Sequence, residues 1–357
     1  MTSSTNEQPV EQPLMEQPSK RSGRQRLVIF IGIAISAVFL YLAFRELHPD
    51  TFLASISQVN PLWIVIGAAT YALAVLVIAL RWQFLLRAVK HIPLLPLTQI
   101  VAIGYMGNNV YPLRAGEALR VYLLRRNHKV PIAQAATTAV VERAFDGVVM
   151  LSFIVVGLLV SGIASPQVES VVSIAAPVFG LAVLTFFVLA ARPDWLRALV
   201  KLATRILPDR LADVVLSLGE GVIAGLEGLR SPLYLAGTIV CSFLTWAVEA
   251  LVYWMVMWAF GLELNYAVAL LVVGTVNLAG LIPASPGQVG VYEFFASTVL
   301  MAAGIAQDIA LAYAIVVHIV IWLPVTVVGF LFLTRMGLSM KSVTQAQSID
   351  VQPALDT

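Results

Sequence analysis

Long apolar stretches alternate with short polar ones along the chain, and several apolar stretches have the length that lipid demands. A helix crossing a bilayer needs roughly 20 apolar residues. Six segments qualify: Leu27 to Phe44, Leu62 to Leu80, Thr138 to Val160, Val171 to Ala191, Leu233 to Trp258 and Ile309 to Thr334. The third carries charges at its beginning. Two further apolar regions are interrupted. Leu97 to Tyr111 is too short to span and is broken by Pro112 and Gly116. Tyr266 to Ile282 and Val289 to Ile305 flank the breaker Pro283-Ala284-Ser285-Pro286-Gly287, and each is marginal for a span. The pattern predicts an all-α polytopic membrane protein with about six full spans and two re-entrant or broken helical hairpins.

Composition agrees with the pattern. Apolar residues make up 59% of the 357, charged residues 12%, and the mean hydropathy is +0.88. A soluble domain carries about twice that share of charge. Residues 1–26 are polar and end in a basic run, and the chain after Lys341 is polar again. Both ends read as disordered tails, 1–26 and 336–357, around a membrane body of 27–335. The first apolar run lacks a small-x-small cleavage site, so it reads as a span rather than a signal peptide. The single cysteine, Cys241, falls in an apolar segment and reads as a buried thiol.

Charge decides orientation. Basic residues gather before the first span, after the second (Arg81, Arg87, Lys90), after the first break (Arg120, Arg125, Arg126, Lys129), within 192–230, and after the last span. Both termini are then cytoplasmic. The break at Pro112 is entered from the cytoplasmic side. The break at Pro283 to Gly287 is entered from the outer side, where Glu263 and Asp308 lie. The two breaks share a Pro-x3-Gly-Glu/Gln core, Pro112-x3-Gly116-Glu117 and Pro283-x3-Gly287-Gln288. An inverted repeat with a broken helix in each half is the plan of many transporters. The connection 192–231 carries Trp195, Leu196, Leu199, Ala203, Ile206 and Leu207 on one helical face. That suits either a helix in the membrane interface or one packed under the bundle.

Polar groups in lipid are costly, so their positions carry the functional signal. The first cluster is Asn108, Asn109, Arg114, Glu117 and Arg120 around the first break. A helix starting near Glu117 would point free N–H groups into the membrane, a setting that attracts an anion. The plainer alternative is that Arg114 pairs with Glu117 or a neighbouring acid. The second cluster is Glu142, Arg143 and Asp146; the two acids share a helix face and either hold Arg114, carry protons, or only fix helix orientation. The third is Asn277 with Ser285, Gly287, Gln288 and Glu293, where Ser285 suits an N-cap and Pro286 a first helical turn. Glu249 lies deep in the fifth full span, and an acid there faces the bundle interior. His318 reads as a satisfied interior histidine. No spacing suits a metal site, a nucleotide loop or a nucleophile elbow, so no cofactor, no metal, no catalytic residue and no nucleic-acid partner is expected.

Three motifs in order, Asn108-x3-Pro112-x-Arg114-x-Gly116-Glu117-x2-Arg120, Glu142-Arg143-x2-Asp146 and Pro283-x2-Pro286-Gly287-x2-Gly290-x2-Glu293, resemble the lysylphosphatidylglycerol synthase/flippase transmembrane family. The resemblance runs from about Leu27 to Thr334. Gln288 departs from it, since relatives often carry a small residue there. Bifunctional members join this domain to a cytosolic aminoacyl transferase; no such domain is expected here. The resemblance implies translocation of a phospholipid, aminoacyl lipid or polyprenyl-phosphate-linked lipid across the cytoplasmic membrane, without an enzyme activity. The alternatives are an enzyme acting on a lipid phosphate and a membrane partner of a separately encoded transferase. Expected partners are membrane lipids with a phosphate headgroup, with that transferase and a second copy of the chain as candidate protein partners.

Overall fold

The computed structural model describes residues 23–338, apart from 88, 112–114 and 164–172, and only isolated positions within 173–191 and 206–230. Residues 1–22 and 339–357 of the expected tails, Arg114 and most of the expected span at Val171 to Ala191 therefore lie outside the described residues, while Gly23 to Arg26 of the expected N-terminal tail open a helix.

Local rules explain where the helices start and stop. Asn60 accepts from the Leu62 N–H at 3.0 Å and Pro61 opens the first turn, so α3 runs Pro61–Leu86. Asn265 caps Tyr266–Ala279 in the same way, accepting from Val268 N–H at 3.2 Å. Gly162 ends Ile132–Ser161 with a left-handed φ of 70°. The described helices are α1 (Gly23–Phe44), α2 (Pro49–Ser57), α3, α4 (Leu94–Val110), α5 (Ala115–His128), α6 (Ile132–Ser161), α7 (Pro193–Thr204), α8 (Pro232–Ala259), α9 (Tyr266–Ala279), α10 (Val291–Ala302) and α11 (Gln307–Arg335). Among the described residues there is no strand.

Among the described residues four helices, α3, α6, α8 and α11, are long and apolar enough to cross a membrane. The first expected span behaves differently. α1 turns by 89° into α2, and only the two together are long and apolar enough to cross. The His48 N–H donates to Asp308 Oδ1 at 2.9 Å, which ties this corner to the start of α11. Leu62, Val65, Leu159, Leu233, Val240 and Leu331 point outward and exposed, as residues facing lipid should. α7 leaves Trp195, Leu199 and Leu202 exposed, the apolar face expected of an interface helix.

The packing has an internal exchange symmetry. α3 lies against α8; α4 packs on α11 and α9 on α6; α4 pairs with α5 and α9 with α10. Swapping α3–α6 for α8–α11 maps these contacts onto one another. The tight points match as well. A Cβ on Gly157 of α6 would lie 3.0 Å from Ala267 O of α9, and one on Gly329 of α11 would lie 2.5 Å from Ala102 O of α4. The weak sequence similarity of the two breaks thus has a structural counterpart, and the fold is a repeat of four helices.

Within the first hairpin the backbones of α4 and α5 touch. A Cβ at Gly116 would collide with the Gly104 carbonyl, so this position tolerates no side chain. Replacing Gly116 with Ala is expected to cost about 1–3 kcal/mol, as overpacking typically does. Gly180→Ala, which meets nothing within 4 Å, is expected to be neutral or stabilising. Thermal unfolding of the two variants in detergent checks this, and equal melting temperatures would contradict the close α4–α5 contact.

Candidate functional site

The two breaks open onto one cavity of about 380 Å³. Asn108, Asn109 and Tyr111 line it from the first break, and Gly280 to Gln288 line it from the second. α3 contributes Tyr71, α8 contributes Trp246, Glu249 and Tyr253, and α11 contributes His318 and Trp322. The volume falls in the range of small-ligand sites.

Each break satisfies its freed backbone from side chains. Asn108 Oδ1 accepts from the Gly116 N–H at 2.9 Å, closing the first hairpin. Asn109 donates across to Thr326 Oγ1 of α11 at 2.8 Å. At the second break the Ser285 N–H donates to Ser36 Oγ of α1 at 2.9 Å, and the Gly290 N–H donates to Glu293 Oε2 at 2.6 Å. The helix expected to begin at Pro286 is only a single 3-10 turn, Pro286–Gln288, with Ser285 at its N-cap position. Three left-handed residues explain the interruption: Gly287 (φ 68°), Gln288 (φ 59°) and Gly290 (φ 92°). α10 then starts at Val291, capped by Gly290 and Glu293 rather than by Ser285.

Beside the cavity lies a buried ion network. The expected partner of Glu142 and Asp146, Arg114, lies outside the described residues; among those described the two acids hold three other arginines. Arg120 of α5 donates from both terminal nitrogens to Glu142, at 3.1 and 2.8 Å, and stacks over Trp82 at 4.1 Å. Arg81 of α3 bonds Asp146 and lies 2.9 Å from Glu142 Oε1, the latter contact an ion pair outside hydrogen-bond geometry. Arg143 reaches Glu142 at 2.9 Å, Asp146 at 3.2 Å and Glu117 at 3.8 Å. Trp246 of α8 donates its indole N–H to Asp146 at 2.6 Å. Among the described residues three arginines meet three carboxylates, so their formal charges balance. Arg81 and Glu142 are fully buried, whereas the Arg143 side chain stays 37% exposed and lines the cavity.

The second repeat has its own pair in the matching place. Glu293 of α10 meets His318 Nδ1 of α11 at 2.5 Å, as Arg120 of α5 meets Glu142 of α6. His318 stacks on Tyr292, whose hydroxyl donates to that of Tyr253 at 2.6 Å.

Of the residues singled out from the sequence, Asn108, Arg120, Arg143, Glu249, Asn277, Ser285, Gly287 and Gln288 line the cavity. Glu117, Glu142, Asp146 and Glu293 stand behind it, holding cations or backbone N–H groups. Arg81 was missed. It reads as the first loop residue after an apolar run, yet α3 continues to Leu86 and Arg81 is 0% exposed. The apolar Trp82, Phe84, Leu85 and Leu86 after it were the available signal. Tyr71 and Tyr105 also escaped notice, because nothing in their spacing separates a cavity-lining tyrosine from a packed one.

The model of the lysylphosphatidylglycerol synthase transmembrane region matches residues 29–329. The chain belongs to this family. It is 27% identical to the glycosyltransferase AglD of Haloferax volcanii over 85% of its own length, and spans about half (54%) of that protein. It is 24% identical to a UPF0104 membrane protein of Methanothermobacter thermautotrophicus, over 89% of this chain and 95% of the relative. Identity to a UPF0104 membrane protein of Pyrococcus horikoshii is 20%, over 89% of this chain and 99% of the relative. The chain is thus a multi-pass membrane protein, and its family match takes in both breaks, the ion network and α8.

Two stability measurements follow from the site. Glu142→Ala leaves Arg81 and Arg120 short of a buried partner and is expected to destabilise by about 3–5 kcal/mol. Melting in detergent reads this, and a shift of under a degree would mean the network is idle. Gln288→Gly removes left-handed strain of about 1–2 kcal/mol against an unfolded-state entropy cost of about 0.5–1 kcal/mol. A small net gain in melting temperature is expected, and a loss would show that the glutamine side chain holds the break.

Proposed function

We propose that this protein moves a lipid with an anionic headgroup across the cell membrane, with both termini on the cytoplasmic side. The observation that carries the reading is the single cavity where two broken helices meet, with the partly exposed Arg143 on its wall. Broken helices at a repeat interface form substrate sites in many transporters. Arg143 binds the phosphate. It is free to do so because Glu142 and Asp146 also neutralise Arg120 and Arg81, so displacing Arg143 strips neither of those arginines of its partner. The acyl chains stay in the bilayer while the headgroup passes through the cavity. Membrane lipids are the partners in this reading, and a second copy of the chain is a further candidate.

A second reading draws on AglD, whose name is that of a glycosyltransferase. There the same cavity presents a lipid carrier to a transferase, encoded separately or joined to the chain. Co-purification of such a transferase with the tagged chain favours this reading over the first.

Purified protein in vesicles carrying a fluorescent anionic phospholipid in one leaflet tests translocation. Arg143→Ala is expected to slow it tenfold or more, the value of one charge-assisted hydrogen bond of about 1.5–3 kcal/mol. Its melting temperature should change less than that of Glu142→Ala. Vesicles with and without protein showing the same lipid movement would sink the proposal.

A further inference from the structure

The cavity walls also speak to what the headgroup is, an inference that rests on the lipid-translocation reading. Aromatic rings dominate: Tyr71, Tyr105, Trp246, Tyr253, Tyr292 and Trp322. Between them stand polar groups that the protein leaves partly unused. Glu249 and Tyr71 line the cavity, and among the described residues neither the carboxyl of the one nor the hydroxyl of the other makes a hydrogen bond within the protein. Tyr105 presents its hydroxyl in the same state. The amides are half-committed. Asn108 spends its oxygen on Gly116 and keeps its NH2; Asn277 spends its NH2 on the Val273 carbonyl at 2.9 Å and keeps its oxygen.

Polar groups that face a cavity with hydrogen-bonding capacity to spare set the pattern a ligand there must match, because a mismatched group loses its water without a replacement partner. They include acceptors (Glu249, Asn277), a donor (Asn108) and hydroxyls that do both. An ammonium headgroup offers only donors and leaves the Asn108 NH2 unmet. A bare phosphate brings mostly acceptors and leaves the Asn277 oxygen without a donor. A sugar hydroxyl donates and accepts, and neighbouring hydroxyls match the two oxygens of one carboxylate. The C–H faces of a pyranose ring also lie flat on aromatic rings, where dispersion contacts accumulate. Arg143, on the same cavity, supplies the cation for a phosphate attached to such a ring.

We propose that the headgroup held in this cavity is a hexosyl phosphate, with the sugar over Glu249, Tyr71 and Tyr105 and the phosphate at Arg143. Lipid-borne and free hexosyl phosphates share this chemistry, and the arms of the test separate them.

The test uses the full chain in detergent and reads binding by calorimetry. Hexose 1-phosphate, glycerol 3-phosphate, phosphoethanolamine and inorganic phosphate are titrated in turn. Hexose 1-phosphate is expected to bind at least tenfold tighter than the other three. Tyr71→Phe and Tyr105→Phe, each a change of one oxygen, should each weaken it about fivefold, the worth of one neutral hydrogen bond. Glu249→Gln should weaken it about tenfold, with inorganic phosphate binding unchanged. Glycerol 3-phosphate or phosphoethanolamine binding as tightly as hexose 1-phosphate overturns the proposal, as does indifference to all three variants. Melting temperatures show that the variants are folded, and the conservative Tyr→Phe changes keep the test decisive if Glu249→Gln is not.

A second arm adds phosphatidylcholine vesicles containing a polyprenyl phosphoryl hexose as competitor. Competition supports a lipid-borne ligand. Its absence, with tight hexose 1-phosphate binding, leaves the sugar site standing and removes the lipid reading. Translocation of anionic phospholipid without any hexose preference does the reverse.

Discussion

A chain that stops being helical inside hydrocarbon must find partners for the N–H and C=O groups it frees, because water is not there to take them. Much of this structure follows from meeting that demand twice. At the first break Asn108 turns its side chain onto the Gly116 N–H. The hairpin closes so tightly that α4 and α5 meet glycine to glycine, at Gly107 and Gly116. At the second, Ser36 of α1 and Glu293 of α10 take the Ser285 and Gly290 N–H groups. Both breaks face the same cavity. A cavity walled by broken helices is the state in which such breaks are tolerated, so site and fold have one cause.

The ion network is the second consequence. Placing Arg81, Arg120 and Arg143 beside Glu142, Asp146 and Glu117 buries four formal charges and half-buries two more, which no single pairing in lipid would justify. The geometry divides the labour. Glu142 and Asp146 sit one turn apart on α6 and gather cations from α3 and α5 as well as their own helix. Trp246 brings α8 to the same carboxylate. Four helices are therefore registered by two acids. Removing one acid uncovers more than one cation, so the network specifies an arrangement more than it adds net stability.

Much of this was readable from the sequence, for physical reasons that can be named. The four long spans are visible because their length and apolarity are set by the bilayer. The breaks are visible because proline and glycine interrupt apolar runs at Pro112 to Gly116 and at Pro283 to Gly287. The cost of a buried charge also made Glu142, Asp146 and Glu249 conspicuous. Pairing was not readable. Arg81 looked like a loop residue because lysine and arginine mark helix ends in the charge rule, and only tertiary contact reveals it 65 residues from its partner Asp146. The corner between α1 and α2 escaped for a related reason: its tie from His48 to Asp308 joins positions 260 apart. The late start of α10 was hidden because Ser285-Pro286 is a good helix start in isolation. The left-handed run at Gly287, Gln288 and Gly290 overrides it.

The repeat leaves its two breaks unequally anchored. Helix packing is exchanged between the halves, yet the side chains at equivalent places differ. The helix after the first break is clamped by Arg120 on Glu142, inside a network that also engages α3 and α8. The helix after the second is held through Glu293, one carboxylate shared between the Gly290 N–H and His318. The second break also stores strain, since Gln288 sits in a left-handed conformation that side chains resist. Separating α10 from α11 therefore breaks fewer ionic contacts than separating α5 from α6, and it relaxes backbone that is already strained.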